Sequence, residues 1–370
     1  MLPFEGKNDM KIQVQVDALR KKLQMLKKML PETAFLRIYA KEQSCIGGIR
    51  EDALEVNFVI AMDVKEQGAI SIPLLPFSRF LDALPASELT IETKSTHQCV
   101  ASTSLSHASF PLEEDTFFSR HLTQTCTIPI LALPAEELLS AVEDVAFSAS
   151  KDMGRPFLTC VHVEPVTTMG LDVITTDSFR MAHRTLSIAH NLDTGLLIPA
   201  RDLACIASSF LRGEQVKCLL RPDYGVMSFQ SKTVECSLRL LKGLFPPYRT
   251  VYPSTYSFSC TMHTEDLQNA VRIACIYDSK RVNIILKNTE LCIESMAEGG
   301  VSGGVYTPIY AEGDADFEIE PTSFLEVLSH VKTKNCSLHG NLLGGSAAII
   351  LSPDDNRLRF MVMPLARRIR

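Results

Sequence analysis

A strand-then-helix unit occurs three times in this chain: MKIQVQVDALRKKLQMLKKML at 10–30, TIPILALPAEELLSAVEDVAFSAS at 127–150 and FSCTMHTEDLQNAVRIACIYDS at 258–279. A second unit, a strand closed by proline or an acid and followed by a short helix, recurs as ISIPLLPFSRFLDAL at 70–84, LLIPARDLACIASSFL at 196–211 and FEIEPTSFLEVLSHV at 317–331. With Pro73, Pro199 and Pro321 as markers, the spacings are 126 and 122 residues. Such a period means one supersecondary plan used three times. It predicts domains at 10–126, 127–252 and 253–370, preceded by an N-terminal extension at 1–9.

Between the helices, ALEVNFVIAMDV, KCLLRPDYGVMSFQ, TVECSLRLL and AAIILSP alternate or run apolar as strands do. Each domain therefore holds two helices and a larger number of strands, and the class is α+β, with helix pairs packed on antiparallel sheets. A chain of 370 residues with 46% hydrophobic and 22% charged residues has material for several cores. No apolar run approaches the roughly 18 residues a membrane helix needs. MLPFEGKND has no basic segment leading into an apolar one, so a cytoplasmic protein with no membrane partner is expected. Eleven cysteines without a C-x-x-C pair fit reduced, mostly buried thiols.

A net charge of −6 argues against a generic basic nucleic-acid binder and leaves room for positive charge gathered on one surface. The first helix supplies a candidate. Leu19, Leu23, Leu26 and Leu30 make an apolar stripe at helical period, while Arg20, Lys21, Lys27 and Lys28 fall on another face roughly 135° away. Arg201 and Arg212 flank the second helix of the middle domain, Arg272 lies on a helix of the third, and Lys332 ends its partner. The middle domain's first helix is instead acidic, with Glu136, Glu137, Glu143 and Asp144. A solvated helix face and a phosphate-facing surface both remain open for these cations.

Catalytic signatures are missing: there is no phosphate-binding G-x-x-x-x-G-K-[ST], no G-x-G-x-x-G after a strand, no G-x-S-x-G elbow and no H-E-x-x-H. Cys160, His162 and Glu164 alternate along TCVHVEP and would share one strand face, which keeps a metal-dependent hydrolase as a minor alternative. EGGVSGGVY at 298–306 precedes strand-like sequence rather than a helix and predicts a hairpin. No catalytic residue, resident metal or cofactor is expected.

Several short segments carry a resemblance. ITTDSFRMAHR at 174–184 resembles a Thr-Asp-Gly-His-Arg-Leu-Ala segment, keeping Thr176, Asp177, Arg180 and Ala182. LFPPYRTVYP at 244–253 is similar to a Phe-Pro-Asp-Tyr-Arg segment, and VMPL at 362–365 to a terminal Val-Met-Pro-Met. FSASKDMGRPFLTCVHVE and GAISIP match further strands in order. Together with the triple repeat they resemble the bacterial DNA sliding clamp, the beta subunit of DNA polymerase III.

The resemblance implies a processivity factor that encircles double-stranded DNA without sequence preference. It implies a head-to-tail homodimer with six domains in a ring, helices inward and sheets outward. Its partners would be the DNA polymerase III catalytic subunit, the clamp loader, and other polymerases and repair proteins that dock linear motifs. Arg20, Lys21, Lys27, Lys28, Arg201, Arg212, Arg272 and Lys332 would face DNA. His107 and Phe110 on one edge and Ile276 on the other would form the dimer contact. The peptide groove would comprise Leu158, Thr176, Ser178, Phe179, Arg180, Met181, Pro246, Val251, Met363, Pro364 and Leu365. The sequence departs from the family at SLSHASF, 104–110, where the edge strand usually carries arginines, and at Ser178, Phe179 and Thr250 in the groove. ARRIR also replaces a shorter terminus. These departures favour a divergent second clamp with a repair or specialised role as the alternative.

Overall fold

The computed structural model describes residues 10–27, 34–41, 44–51, 54–112, 127–222, 225–277, 280–297, 300–342 and 348–366. Every repeated unit becomes a strand running directly into a helix. Lys11–Gln15 leads to α1 (Val16–Lys27), Gly68–Pro73 to α2 (Leu74–Ala83), Ile128–Pro134 to α3 (Ala135–Ala146) and Leu196–Pro199 to α4 (Ala200–Ser209). Phe258–His263 leads to α5 (Thr264–Ala274), and Ala315–Ile319 to α6 (Pro321–Ser329). The switch from period 2 to period 3.6 occurs where a helix start is locally favoured. At α6, Glu320 accepts from Thr322 N (3.0 Å) and Ser323 N (2.6 Å) and Pro321 occupies the first turn. Lys28 and Leu30, assigned to the first helix from sequence, lie outside the described residues.

The chain forms two compact units. The first, residues 1–140, 190–192 and 201–240, holds a five-stranded and an eight-stranded antiparallel sheet. The larger sheet joins strands of two repeats, since Leu54–Ala61 pairs with Val234–Arg239. Leu19 and Leu23 of α1 and Phe77 and Leu81 of α2 are buried, the faces the periodicity assigns. The second unit, residues 141–189, 193–200 and 241–370, holds a nine-stranded and a four-stranded sheet. Here Arg180–Leu186 pairs with Leu358–Val362, so the terminal strand is central in its sheet. Sheet continuity, which runs through the repeat boundaries, is what gathers three repeats into two units.

Nine described cysteines are free thiols. Burial pushes Cys218 and Cys236 up to about 12, so they behave as apolar side chains. The glycine-rich hairpin is present, with Gly300–Tyr306 pairing against Glu290–Ala297 as the outer strand of the four-stranded sheet. Gly303 has φ +153°, and a Cβ there would sit 2.3 Å from the Ile293 carbonyl oxygen. Gly303→Ala should therefore cost about 2 kcal/mol or more in urea unfolding, because backbone on the neighbouring strand must move. An unchanged midpoint would refute this requirement for glycine.

A candidate peptide-binding groove

Register in the nine-stranded sheet fixes which side chains share a face. Thr176 pairs with Met181, Met181 with Met361, and Ile350 with Met361. Alternation then puts Ile174, Thr176, Met181, His183 and Met361 on one side. Ile174, Met181, Tyr248, Ala348, Ile350 and Met361 form a buried cluster there, with Phe245, Val251, Tyr252 and Met363 packed against it half-buried. The apolar face thus has a sealed centre and a half-buried border made by Phe245, Val251, Tyr252 and Met363. Phe179 is 68% exposed.

The turn presenting Phe179 is tightly held. Ser178 takes φ +83°, uncommon for a residue with a side chain. Asp177 Oδ1 accepts from Phe179 N and Arg180 N, both at 2.9 Å. Thr176 Oγ1 accepts from Ser178 N (3.1 Å) and donates to the Arg180 carbonyl (2.7 Å). Arg155 Nη1 donates to Ser178 Oγ at 3.0 Å. Met363 N donates to the Phe179 carbonyl at 2.8 Å and Leu365 N to the Glu318 carbonyl at 2.8 Å. Backbone bonding therefore continues beyond Pro364, and the terminal segment is tied at both ends of the proline.

Arg180 faces the other side of the sheet and is 11% exposed. Its guanidinium bonds Asp177 (3.1 Å) and Glu326 (2.6 Å) and lies 5.5 Å from the Phe147 ring centre. Phe147 in turn stacks on His330 at 3.8 Å. Burial holds His330 below its ordinary range, against the pull of Asp144 and Glu326. Arg180 is thus a structural tie between the turn and α6, while Leu158 is buried. Pro246 and Val251 belong to the segment that covers the apolar face, and Pro364 and Leu365 follow Met363 half-buried.

A polar network fastens the covering segment. Tyr248 Oη donates to Glu164 Oε2 (2.7 Å) and Asp172 Oδ2 (3.1 Å). Arg249 contacts the same two carboxylates at 3.0 and 3.2 Å and lies over the Tyr248 ring. Thr185 Oγ1 donates to Asp172 at 2.9 Å, and His183 Nε2 lies 3.0 Å from it, an ion-pair contact off good hydrogen-bond alignment. The other His183 nitrogen meets Tyr252 Oη at 2.7 Å. Burial raises the Asp172 carboxyl, but the His183 contact and charge and the donations from Thr185 and Tyr248 outweigh it and hold the group at about 2. Burial, reinforced by Glu164 and Asp172, pushes the Tyr248 hydroxyl up, so it remains a donor. Of these anchors the sequence singled out only Glu164, and as a candidate metal ligand rather than as a fastener. The signal available was Tyr248 and Arg249 in PPYR, facing two carboxylates in strand-like sequence far upstream.

The same contacts engage two of the three residues behind the metal alternative. His162 stacks on Phe245 at 4.6 Å, and Glu164 is committed to Tyr248 and Arg249. Among the described residues no group of three His, Cys, Asp or Glu side chains is placed to hold a metal.

The remaining sequence-assigned residues are spread over both units. Arg20 caps the end of α2 through the Leu81 (2.7 Å) and Leu84 (2.5 Å) carbonyls and pairs with Asp17, and Lys27 is bonded to Asp82. Lys21, Arg201 and Arg212 are exposed, and so are Arg272 and Lys332 in the second unit, where Lys332 contacts Asp144 at 3.1 Å. The acidic face read on α3 is partly internal, since Asp144 is buried against Arg184 at 2.5 Å. His107 is exposed on an edge strand, Phe110 is buried against Phe77 and Phe80, and Ile276 is 66% exposed.

Residues 132–247 match the family model for the central domain of the DNA polymerase III beta subunit. The beta sliding clamp of Streptomyces coelicolor is 25% identical over 380 residues, covering 96% of this chain and 99% of that protein. The chain is thus similar to beta sliding clamps over nearly its whole length. GriR, a beta sliding clamp homolog of Streptomyces muensis, is 24% identical across 82% of this chain and 83% of its own. In fold, the chain is similar to the DNA polymerase III beta chain of Streptococcus pneumoniae, with TM-score 0.87, 17% identity and coverage of 97% and 100%. The sliding clamp of Bacillus subtilis gives 0.86, 18%, 97% and 100%.

Proposed function

We propose that two copies of this chain close head to tail around duplex DNA and tether polymerase, loader and repair proteins through linear motifs. The observation that supports the tethering role is the half-buried apolar border of Val251 and Met363 beside the sealed cluster, on a sheet where Tyr248 and Arg249 fasten the covering segment to Glu164 and Asp172. Apolar anchors of an extended peptide fit such walls, and methionine accommodates more than one partner. Leu158, Pro246, Pro364 and Leu365 complete the groove in this reading, with Thr176, Ser178, Arg180 and Met181 shaping it. Calorimetry on the full chain should give micromolar affinity for peptides from the cognate polymerase and loader. Val251→Glu should weaken it at least tenfold by putting a charge into an apolar wall; unchanged affinity would sink the groove.

Support for ring closure comes from two open sheet edges. The five-stranded sheet ends on His107–Pro111 and the four-stranded sheet on Gly300–Tyr306. Val301, Val305 and Ile276 are exposed at the latter. Such edges invite pairing, and two copies meeting edge to edge would satisfy both in a closed, heterologous contact. Exposed Lys21, Arg201, Arg212, Arg272 and Lys332 would attract phosphates without reading bases. Mass in solution near twice 41.0 kDa is expected, together with processive synthesis on primed circular DNA with the cognate loader. The uncharged edge segment SLSHASF supports the second reading, a specialised clamp; a dimer inactive in that assay would favour it.

A further inference from the structure

We infer that His330 is an acid-sensitive latch on the turn at 177–180: uncharged, it packs on the ring beside which Arg180 rests, and protonated, it draws Glu326 away from Arg180. Three elements of the second unit meet in this stack.

His330 ends α6 and lies face to face with Phe147, just past α3, with ring centres 3.8 Å apart and planes 9° from parallel. The Arg180 guanidinium lies 5.5 Å from the same Phe147 ring centre and reaches the Phe147 carbonyl at 3.5 Å. It also donates to Asp177 at 3.1 Å and to Glu326 at 2.6 Å, which fastens the turn to α6. Glu326 precedes His330 by one helical turn on α6, and its side chain is 48% exposed. The two therefore compete for one carboxylate whenever both are charged.

Four charged groups face the imidazole. Burial is the largest influence and holds His330 below its ordinary range; Asp144 on α3 and Glu326 pull it up, while Lys332 and Arg180 push it down. The Asp144 carboxylate is already engaged by Arg184 and Lys332. An imidazolium kept in place is desolvated and shares the Phe147 ring with a second cation. Turning out to water and Glu326 relieves both, at the cost of the stack and of the Arg180–Glu326 pair. A histidine depressed in the fold contributes stability that is whole above about pH 6.5 and is lost progressively below it. Because Ser178, Phe179 and Arg180 shape the proposed groove, its occupants become acid-sensitive; that consequence rests on the groove reading, whereas the latch itself does not.

The test follows His330 protonation by NMR on the full-length chain from pH 7.5 to 5.5, together with hydrogen exchange of the Ser178, Phe179 and Arg180 amides, all hydrogen-bonded in the turn. After correction for the intrinsic effect of pH on exchange, their protection should fall about threefold to tenfold, with a midpoint matching that of His330. In His330→Phe, which keeps a ring on Phe147 and has no proton to gain, the fall should disappear. His330→Gln takes its place if that variant does not fold, and the matching midpoints in the natural chain need no variant. Constant protection of the turn across the range would overturn the inference, and so would an equal fall in the variant. Neither readout uses a peptide, so failure of the groove reading leaves this test intact.

Discussion

Replacing Arg184 with alanine is expected to destabilise the second unit by about 3–5 kcal/mol, the cost of leaving a buried carboxylate without its partner. Asp144 is 3% exposed, and Arg184 Nη1 lies 2.5 Å from one of its oxygens. Lys332 reaches the other oxygen at 3.1 Å, but it is 61% exposed and its contribution is screened by solvent. Arg184 therefore supplies most of the compensation. Adding Asp144→Asn to Arg184→Ala should recover part of the loss, because the charge that lacks a partner is then gone. Urea unfolding of both variants measures this. Additive losses, with no recovery in the double variant, would show that the ion pair is not the reason for the cost.

Asp172→Asn is expected to cost about 2–3 kcal/mol at neutral pH and to remove one acid-denaturation limb. The native carboxyl is held at about 2, against roughly 3.9 in an unfolded chain. A depressed carboxyl stabilises the fold fully above about pH 4, and the contribution is lost as pH falls through about 2. The natural chain should therefore lose stability relative to Asp172→Asn across that window, and the two curves should converge below it. Because Asp172 also binds Tyr248 and Arg249, the variant should loosen the segment from Phe245 to Tyr252 and weaken groove peptides. Equal stabilities at pH 7 would refute the assignment of the network to Asp172.

Much of this molecule was legible in its sequence because the deciding interactions are local and periodic. The strand-to-helix units, the six helices they predict, the buried stripe of Leu19 and Leu23 and the glycine hairpin all follow from alternation, helical spacing and turn chemistry. The segments around Thr176, Pro246 and Met363 carried the family resemblance, and the full-length similarity agrees with it. Partner choice for charged groups was not legible. Arg20 reads as part of a basic face yet caps α2 across 61 residues of sequence. Asp144 reads as an outward acid on an acidic helix yet is buried by Arg184.

What the sequence determined by itself was therefore the repeated α+β plan and the kind of chain it resembles, both encoded over short windows. Only the tertiary structure decided that the terminal strand lies central in a nine-stranded sheet and that His183 and Asp172 fasten the segment from Phe245 to Tyr252. It also decided that Phe179 remains exposed where Met181 and Met361 are covered. The physical reason is range: periodicity fixes which face a side chain takes, but register between strands remote in sequence fixes what it meets there.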